Sequence, residues 1–266
     1  MRYKILIHIE SKDNSLFKET KKLKERRNRN KEGKYLIEGF RLIQEAYKAN
    51  MEIEYLIINE GSEEKMNEYL SEYLNSSDIY TIKNNLFISL TSTETPQGAI
   101  AVVKNREVSK DVKGEFFLLC DKVQDPGNLG TIIRTAHAAG VDGIILTKGT
   151  VDIYNDKVIR STMGSLFYVQ IIQEDENLSF IKKLKDDGFS LVATSLQESK
   201  DFFKSDLKGK IILSVGNEGN GISEEIFLLA DKKVKIPMPG GAESLNVAIA
   251  TSIILFEKVR QNLCNI

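Results

Sequence analysis

The first half of the chain mixes helix-like and strand-like spacing of apolar residues. Phe40, Ile43, Ala46 and Tyr47 recur every three or four positions, which predicts an amphipathic helix. The short apolar run 98–104 instead predicts a buried strand. The segments predicted in this half are Tyr35–Ile37, Glu38–Asn50, Glu54–Ile58, Ser62–Leu74, Ile79–Ile82, Leu86–Leu90 and Gly98–Lys104. They predict a small α/β domain over residues 1–106.

A polar, charged stretch over residues 107–114 is predicted to be a linker, and a second α/β series follows it over residues 115–266. The predicted strands are Phe116–Cys120, Gly143–Thr147, Phe167–Ile171, Ser190–Thr194, Ile211–Val215 and Lys233–Ile236. The predicted helices are Asn128–Ala139, Asn155–Thr162, Ser179–Asp187, Ser223–Ala230 and a long last one over Leu245–Gln261. Because strands alternate with helices, we expect a mostly parallel sheet covered on both faces.

The composition is that of an ordinary globular protein, and it excludes several classes. With 41% hydrophobic and 28% charged residues in 266, the chain is neither disordered nor collagen-like. Two cysteines and two histidines exclude a disulfide framework, a four-ligand zinc site and a histidine-rich centre, so we expect no metal. No apolar run approaches the ~20 residues that span a bilayer, and the N-terminus is a poor signal peptide. We therefore expect a cytoplasmic protein without a membrane partner.

Charge is balanced overall but not locally. The net charge of −1 gives no sign of a nucleic-acid partner. Lys18–Lys34, however, holds nine Lys or Arg and three Glu, an excess of six positive charges. Such a run is typical either of phosphate binding or of a solvated helix face.

Asp125–Gly130 is the first of three segments that depart from ordinary core and surface patterns. A Pro-Gly turn follows a strand, and Asn128 is predicted at the N-cap of the next helix. Arg134 lies roughly opposite the apolar stripe of that helix. This corner fits a phosphate site built from backbone amides and an arginine, and it equally fits a capped helix with a solvated arginine.

The second segment places three glycines around Asn217 and Glu218, directly after the strand Ile211–Val215. Glycines let the backbone approach a ligand closely, and the carboxyl end of a strand is where α/β sheets bind ligands. The alternative is a loose turn. The spacing matches neither the dinucleotide-binding glycine pattern nor the nucleotide phosphate loop.

The third segment, Ile236–Ala250, begins with Pro237 and Pro239, turns at a Gly-Gly pair, and is predicted to start a helix at Ser244. Three of the four prolines of the chain lie in the first and third segments. The alternative interpretation is a rigid connection followed by a capped helix.

Together the segments read N-L-G-x-I-x-R-T-A, G-N-E-G-x-G-I and I-P-M-x-G-x-x-x-S-L-N-V-A, in this order. This set resembles the three motifs of the SpoU (TrmH-type) RNA ribose methyltransferases of the SPOUT superfamily. Tyr35–Ala46, YLIEGFRLIQEA, resembles the opening of their L30e-like substrate-binding domain. The resemblance implies a trefoil-knotted α/β catalytic domain, a homodimer, S-adenosylmethionine as methyl donor and a ribose 2′-hydroxyl as acceptor.

The resemblance also assigns residues. By motif position it implies a catalytic set of Asn128, Arg134, Glu218, Ser244 and Asn246. It implies cofactor contacts, largely through backbone groups, at Thr194, Ser195, Val215, Gly216, Asn217, Gly219, Ile236, Met238 and Leu245. The basic run directly precedes the segment that resembles an RNA-binding fold, so we expect RNA contacts from Lys21, Lys22, Arg26 and Arg27.

A ribose hydroxyl is barely ionised at neutral pH, so the reaction needs a base or a group that stabilises the alkoxide. No histidine lies in the three motifs, and His137 is predicted to be a packing or surface residue. We therefore expect Arg134 to orient the hydroxyl and stabilise the alkoxide, at a site that a partner subunit could complete. Asn128 would anchor the nucleotide, while Glu218 and Asn246 would hold Arg134 or the ribose.

The N-terminal half resembles that of the rRNA-directed and antibiotic-resistance members of this family, which implies ribosomal RNA, of the 23S type, rather than transfer RNA as the substrate. One alternative is a non-catalytic RNA-binding protein, against which the intact motifs argue. Another is a nicotinamide-dependent enzyme, which lacks its glycine pattern with an acidic residue about 20 positions on.

Overall fold

The computed structural model describes residues 7–106, 113–195 and 200–264. The chain divides into two compact units, Met1–Glu107 with Tyr154–Ile159, and Val108–Ile153 with Arg160–Ile266. Residues 107–112 of the predicted linker lie outside the described residues.

The first unit contains a five-stranded sheet in the order β1-β4-β3-β5-β2. Its elements are β1 (Ile7–Ile9), α1 (Ser15–Lys22), α2 (Arg26–Glu32), β2 (Lys34–Glu38), α3 (Phe40–Lys48), β3 (Ile53–Asn59), α4 (Glu63–Leu70), β4 (Asp78–Ile82), α5 (Asn84–Leu90) and β5 (Ala99–Lys104). β5 runs antiparallel to β2 and β3, whereas β1, β4 and β3 run parallel. Phe17, Ile57 and Phe87 are buried together on one side of this sheet.

The strands after residue 113 form a seven-stranded sheet in the order β10-β12-β9-β11-β6-β7-β8. The strands and helices of this part of the chain are β6 (Phe116–Cys120), α6 (Pro126–Ala138), β7 (Gly143–Leu146), α7 (Asp156–Thr162), β8 (Ile171–Gln173), α8 (Ser179–Asp186), β9 (Ser190–Thr194), β10 (Lys200–Asp201), β11 (Ile211–Val215), α9 (Glu224–Leu229), β12 (Lys232–Lys235) and α10 (Val247–Leu263). Every neighbouring pair in this sheet is parallel, which confirms the predicted parallel α/β fold.

The chain order of these strands creates a switch point beside β6. From β6 the chain moves outward to β7 and β8, and later returns so that β11 lies on the other side of β6. Ligands bind in parallel sheets at such a point, outside the carboxyl ends of the strands. β6 and β11 are buried throughout, and α8 and α9 cover one face with Ile181, Leu184 and Ile226.

One predicted strand was wrong. A strand was predicted over Phe167–Ile171, but the strand begins only at Ile171. A 3-10 turn at Ser165–Phe167 comes before it and is preceded by Gly164 in the left-handed region (φ 90°). Leu166, Phe167 and Val169 are buried all the same, whereas Tyr168 between them is exposed. β1, α1, α2 and β10 were not predicted. None of the helices within the described ranges is long and apolar enough to span a bilayer. The trefoil knot stays a prediction.

Candidate active site

The three sequence motifs follow strands that lie close together in the sheet. The first motif follows β6, the second follows its neighbour β11, and the third follows β12, which is separated from β11 only by β9. Since parallel strands end at the same edge, all three motifs lie at the carboxyl edge of the sheet, around the switch point.

The first motif begins with a helix cap that differs from the prediction. Asp125, not Asn128, caps α6, and its carboxylate accepts a hydrogen bond from the backbone N–H of Asn128 at 2.7 Å. Pro126 occupies the first helical turn, where its missing N–H costs nothing. Asn128 therefore lies inside the helix, and its side-chain amide is available for other contacts.

Glu218 lies in the loop over residues 216–222, which we call the glycine loop, and binds the start of α6. Its carboxylate accepts from the backbone N–H groups of Gln124 and Asp125 at 3.3 and 3.2 Å, and from Asn128 Nδ2 at 3.1 Å. Burial raises the pKa of this carboxyl, but the hydrogen bonds from Asn128 and the backbone outweigh it and hold the pKa below its usual range. Glu218 is therefore a carboxylate at neutral pH.

Asn246 joins the third motif to the first. Its side chain caps α10, since Oδ1 accepts from the N–H groups of Ala248 and Ile249 at 2.9 and 3.3 Å. Its Nδ2 donates to Asn128 Oδ1 at 2.9 Å. The three motifs thus meet in one hydrogen-bonded chain, which we call the Glu218–Asn128–Asn246 chain.

Ser244 does not start the helix as predicted. It lies two residues before the Asn246 cap, is exposed, and makes no side-chain hydrogen bond to the described residues. The side-chain oxygen of Asn246 accepts from two of the first-turn N–H groups, so α10 begins only after Asn246.

Arg134 is exposed on α6 and makes no hydrogen bond or ion pair with the part of the chain that the structure describes. It follows Asn128 by six residues, which places it about 9 Å farther along the helix and on a different face. In the Glu218–Asn128–Asn246 chain, the side chains of Glu218 and Asn246 bind Asn128 and not Arg134. His137, one turn later, stacks on Tyr168 with ring centroids 5.1 Å apart.

The glycine loop is closed by its own backbone. Asn217 and Gly221 exchange two hydrogen bonds at 2.8 and 2.9 Å, and Asn217 Oδ1 accepts from the N–H groups of Gly219 and Asn220. A Cβ on Gly216 would lie 2.2 Å from the carbonyl carbon of Gly221, so only glycine fits there. Gly221 itself adopts φ 69°.

The residues expected to hold the cofactor lie at or after the carboxyl ends of three adjacent strands, β12, β9 and β11. Polar groups of Thr194, Ser195 and Val215 are partly used by the sheet, because Thr194 Oγ1 donates to the Ser214 carbonyl and the Ser195 N–H to the Val234 carbonyl. Apolar, half-buried side chains follow β12 and precede α10: Ile236, Met238 and Leu245. Apolar walls beside strand-end backbone groups fit an adenine-containing ligand.

The predicted RNA-binding residues differ from their basic neighbours. Lys24 donates to the Thr91 carbonyl, and Arg29 is buried and donates to the carbonyls of Leu23 and Lys24. Four basic side chains at the end of α1 and the start of α2 are instead exposed, without an ion pair among the described residues: Lys21, Lys22, Arg26 and Arg27.

Sequence reasoning missed the polar residues that support the motifs. Asp125 caps α6, and the Asp-Pro pair at a strand-to-helix corner is the signal that could have identified it. Asp121 and Thr147, which lie just after β6 and β7, carry no comparable local signal because their partners are distant in sequence.

Comparison with known proteins fits this geometry. Residues 115–256 match the family model described as the SpoU rRNA methylase family, which covers more than half of the chain. The chain belongs to the SpoU rRNA methylase family. Residues 14–101 match the MRM3-like substrate-binding domain. The family model covers all three motifs.

Relatives of this SpoU chain match it over nearly its whole length. A 23S rRNA (guanosine(2553)-2′-O)-methyltransferase, RlmP, of Bacillus subtilis is 36% identical over 93% of this chain and 97% of the relative. The AdoMet-bound rRNA methyltransferase of Sinorhizobium meliloti has a TM-score of 0.84 and 32% identity over 96% of this chain and 98% of that one. The SpoU methyltransferase AviRb of Streptomyces viridochromogenes, in complex with AdoMet, has a TM-score of 0.85 and 29% identity over 94% of this chain and 98% of that one.

Proposed function

We propose that this protein transfers the methyl group of S-adenosylmethionine to a ribose 2′-hydroxyl of 23S-type ribosomal RNA. The Glu218–Asn128–Asn246 chain carries this proposal, because it brings one polar residue from each motif to the switch point of the sheet. The relative in Bacillus subtilis is a 23S rRNA guanosine 2′-O-methyltransferase, and full-length coverage extends the comparison to the N-terminal unit.

The cofactor, when bound, supplies an electrophilic methyl group on a sulfonium. Ile236, Met238 and Leu245 would form the apolar wall for its adenine, beside the backbone of the glycine loop. Asn217 and Gly219 would act through that loop, whose shape Gly216 permits. The protein then has to position the ribose hydroxyl and stabilise the charge that develops on its oxygen.

Asn128 and Arg134 divide this work. The amide of Asn128 is held at both ends, by Glu218 and by Asn246, so it presents a fixed orientation to the nucleotide. The Arg134 guanidinium orients the 2′-hydroxyl and stabilises the alkoxide. Because arginine stays protonated at neutral pH, it acts as a cation and not as a simple base. Ser244, exposed next to Leu245, would contact the bound substrate or cofactor.

The protein works as a homodimer, and Arg134 serves a site that the second copy completes. Two observations support this. Arg134 and Asn128 lie on different faces of α6. In addition, α10 exposes three large apolar side chains seven residues apart, Ile249, Phe256 and Leu263, with exposures of 54%, 48% and 62%. Such a line of exposed apolar residues is typical of an interface.

The four exposed basic residues of α1 and α2 bind the RNA backbone. Arg26 and Arg27 lie in the first turn of α2, where positive charge opposes the helix dipole, so helix stability does not account for them. Phosphate binding does account for them, since each cation that meets a phosphate releases counterions.

Mapping of 2′-O-methylation in rRNA and tRNA, from cells with and without the protein, tests the proposal. We expect one 23S rRNA nucleotide to lose its methyl group without the protein and to regain it with purified protein and S-adenosylmethionine. The position corresponding to guanosine 2553 is the first to examine, and uridine 2479, the target named for a Streptomyces viridochromogenes relative, is the second. A methylation site found only in tRNA would show that the substrate is tRNA and not rRNA. Tight RNA binding without methyl transfer would favour the non-catalytic alternative.

A further inference from the structure

Asp121 is a buried carboxylate just outside the carboxyl end of β6. Only 1% of its surface is exposed, and it forms no ion pair with the described residues. Oδ1 accepts from Thr147 Oγ1 at 2.8 Å, and Oδ2 accepts from the backbone N–H of Ser223 at 2.7 Å. Burying a polar side chain costs free energy unless its hydrogen bonds offset the loss of water, so packing alone does not explain Asp121.

Thr147 extends this contact to the turn just before the first motif. Its Oγ1 donates to Asp121 and accepts from the backbone N–H of Lys122 at 3.0 Å. Lys122 adopts φ 56°, a left-handed conformation that is strained for a residue with a Cβ. The hydroxyl therefore holds a strained turn in place.

The same turn receives the glycine loop. The carbonyl of Lys122 accepts from Asn217 Nδ2 at 2.9 Å, at the beginning of the loop. Ser223, bound by Asp121, lies at its end. Glu218 lies between these two anchors, and its own acceptors face the N–H groups of Gln124 and Asp125, just after Lys122.

We propose that Asp121 and Thr147 are positioning residues that fix the glycine loop at both ends and thereby set Glu218 against Asn128. Neither touches the reacting atoms in this arrangement. The role rests on the proposed function as far as it concerns methyl transfer, and on the hydrogen-bond geometry alone as far as it concerns the loop.

The test compares Thr147→Val with Thr147→Ser and with Thr150→Val. Valine keeps the shape of Thr147 but removes the hydroxyl, whereas serine keeps the hydroxyl. Thr150 is the matched control, because it is also buried and its hydroxyl donates to the Cys120 carbonyl, not to the loop or its anchors. For each variant we would measure melting temperature, amide hydrogen exchange over residues 216–222, S-adenosylmethionine affinity, and kcat and KM with RNA.

We expect the loop amides of Thr147→Val to exchange faster and its kcat to fall about tenfold, since the hydrogen bonds of the hydroxyl are lost, while KM for RNA stays unchanged. Thr147→Ser should restore both, and Thr150→Val should change neither although it melts at a similarly lowered temperature. Loop exchange in Thr147→Val no faster than in Thr150→Val would overturn the proposal.

The exchange measurement separates this inference from the function. If the wild-type protein transferred no methyl group to RNA, the proposed function would fail, yet loop exchange would still decide whether Thr147 fixes the loop. Should Thr147→Val not fold, Thr147→Ala removes the same hydroxyl without a new branched side chain, and the same comparison with Thr147→Ser applies.

Discussion

Asn246 performs two tasks with one side chain, and they can be separated by substitution. Its oxygen caps α10, and its nitrogen donates to Asn128. Asn246→Ala removes both. Loss of the cap should cost about 1 kcal/mol, which lowers the melting temperature by about 2–4 °C for a protein of this size. Loss of a neutral hydrogen bond worth about 0.5–1.5 kcal/mol should slow methyl transfer by about two- to thirteenfold if the bond matters in the transition state.

Asn246→Ser keeps the first task and loses the second. Serine caps helices about as well as asparagine, but its side chain is too short to reach the Asn128 amide. We therefore expect wild-type stability within about 0.5 kcal/mol and a rate as low as that of Asn246→Ala. Calorimetric melting and single-turnover methyl transfer with saturating RNA would measure the two effects. A serine variant that reacts at the wild-type rate would refute a positioning role for this amide and leave only the cap.

Arg134→Ala should abolish methyl transfer and leave S-adenosylmethionine affinity intact, because the side chain is exposed on α6; lost cofactor affinity with preserved turnover would contradict the assigned role. Leu245→Arg should weaken S-adenosylmethionine binding at least about tenfold in calorimetry, since it sets a charge against the adenine wall; unchanged affinity would argue against this wall. Phe256→Glu should shift sedimentation from dimer to monomer, and a stable dimer would move the interface away from α10. Replacing the four exposed basic residues of α1 and α2 with glutamine should weaken RNA binding and leave kcat unchanged; these residues are Lys21, Lys22, Arg26 and Arg27. The slope of log affinity against log salt concentration should fall by about 0.7–0.9 per lost phosphate contact, and Lys182→Gln with Lys183→Gln on α8 serves as the control. An unchanged slope would show that the basic run is only a solvated surface.

The sequence predicted the second sheet well because its buried strands are short apolar runs bounded by turns. β6, β9 and β11 have the predicted bounds, since each is apolar on both faces. Prediction failed where local signals competed. Asp125 and Asn128 are both good caps, and only the proline between them decides in favour of Asp125.

The site was predictable as a set of motifs but not as a set of contacts. Glu218 and Asn246 were expected beside Arg134 or the ribose, yet both bind the Asn128 amide. Their partners lie 90 and 118 residues away, a separation at which spacing carries no information about geometry. Likewise, Lys24 and Arg29 belong to the same basic run as Lys21, and only the fold shows that their side chains are used by backbone carbonyls.

The long separations within the Glu218–Asn128–Asn246 chain also affect when the protein becomes active. Asn128 is synthesised long before Asn246, and their contact closes 118 residues of chain. Contacts between residues so far apart form late in folding, because the chain loses the entropy of closing the loop before it gains the contact. A nascent chain that has not yet released α10 therefore lacks both the cap and the last member of the site. The proposed site is therefore assembled late in synthesis and folding, after the strands of the second sheet have been made.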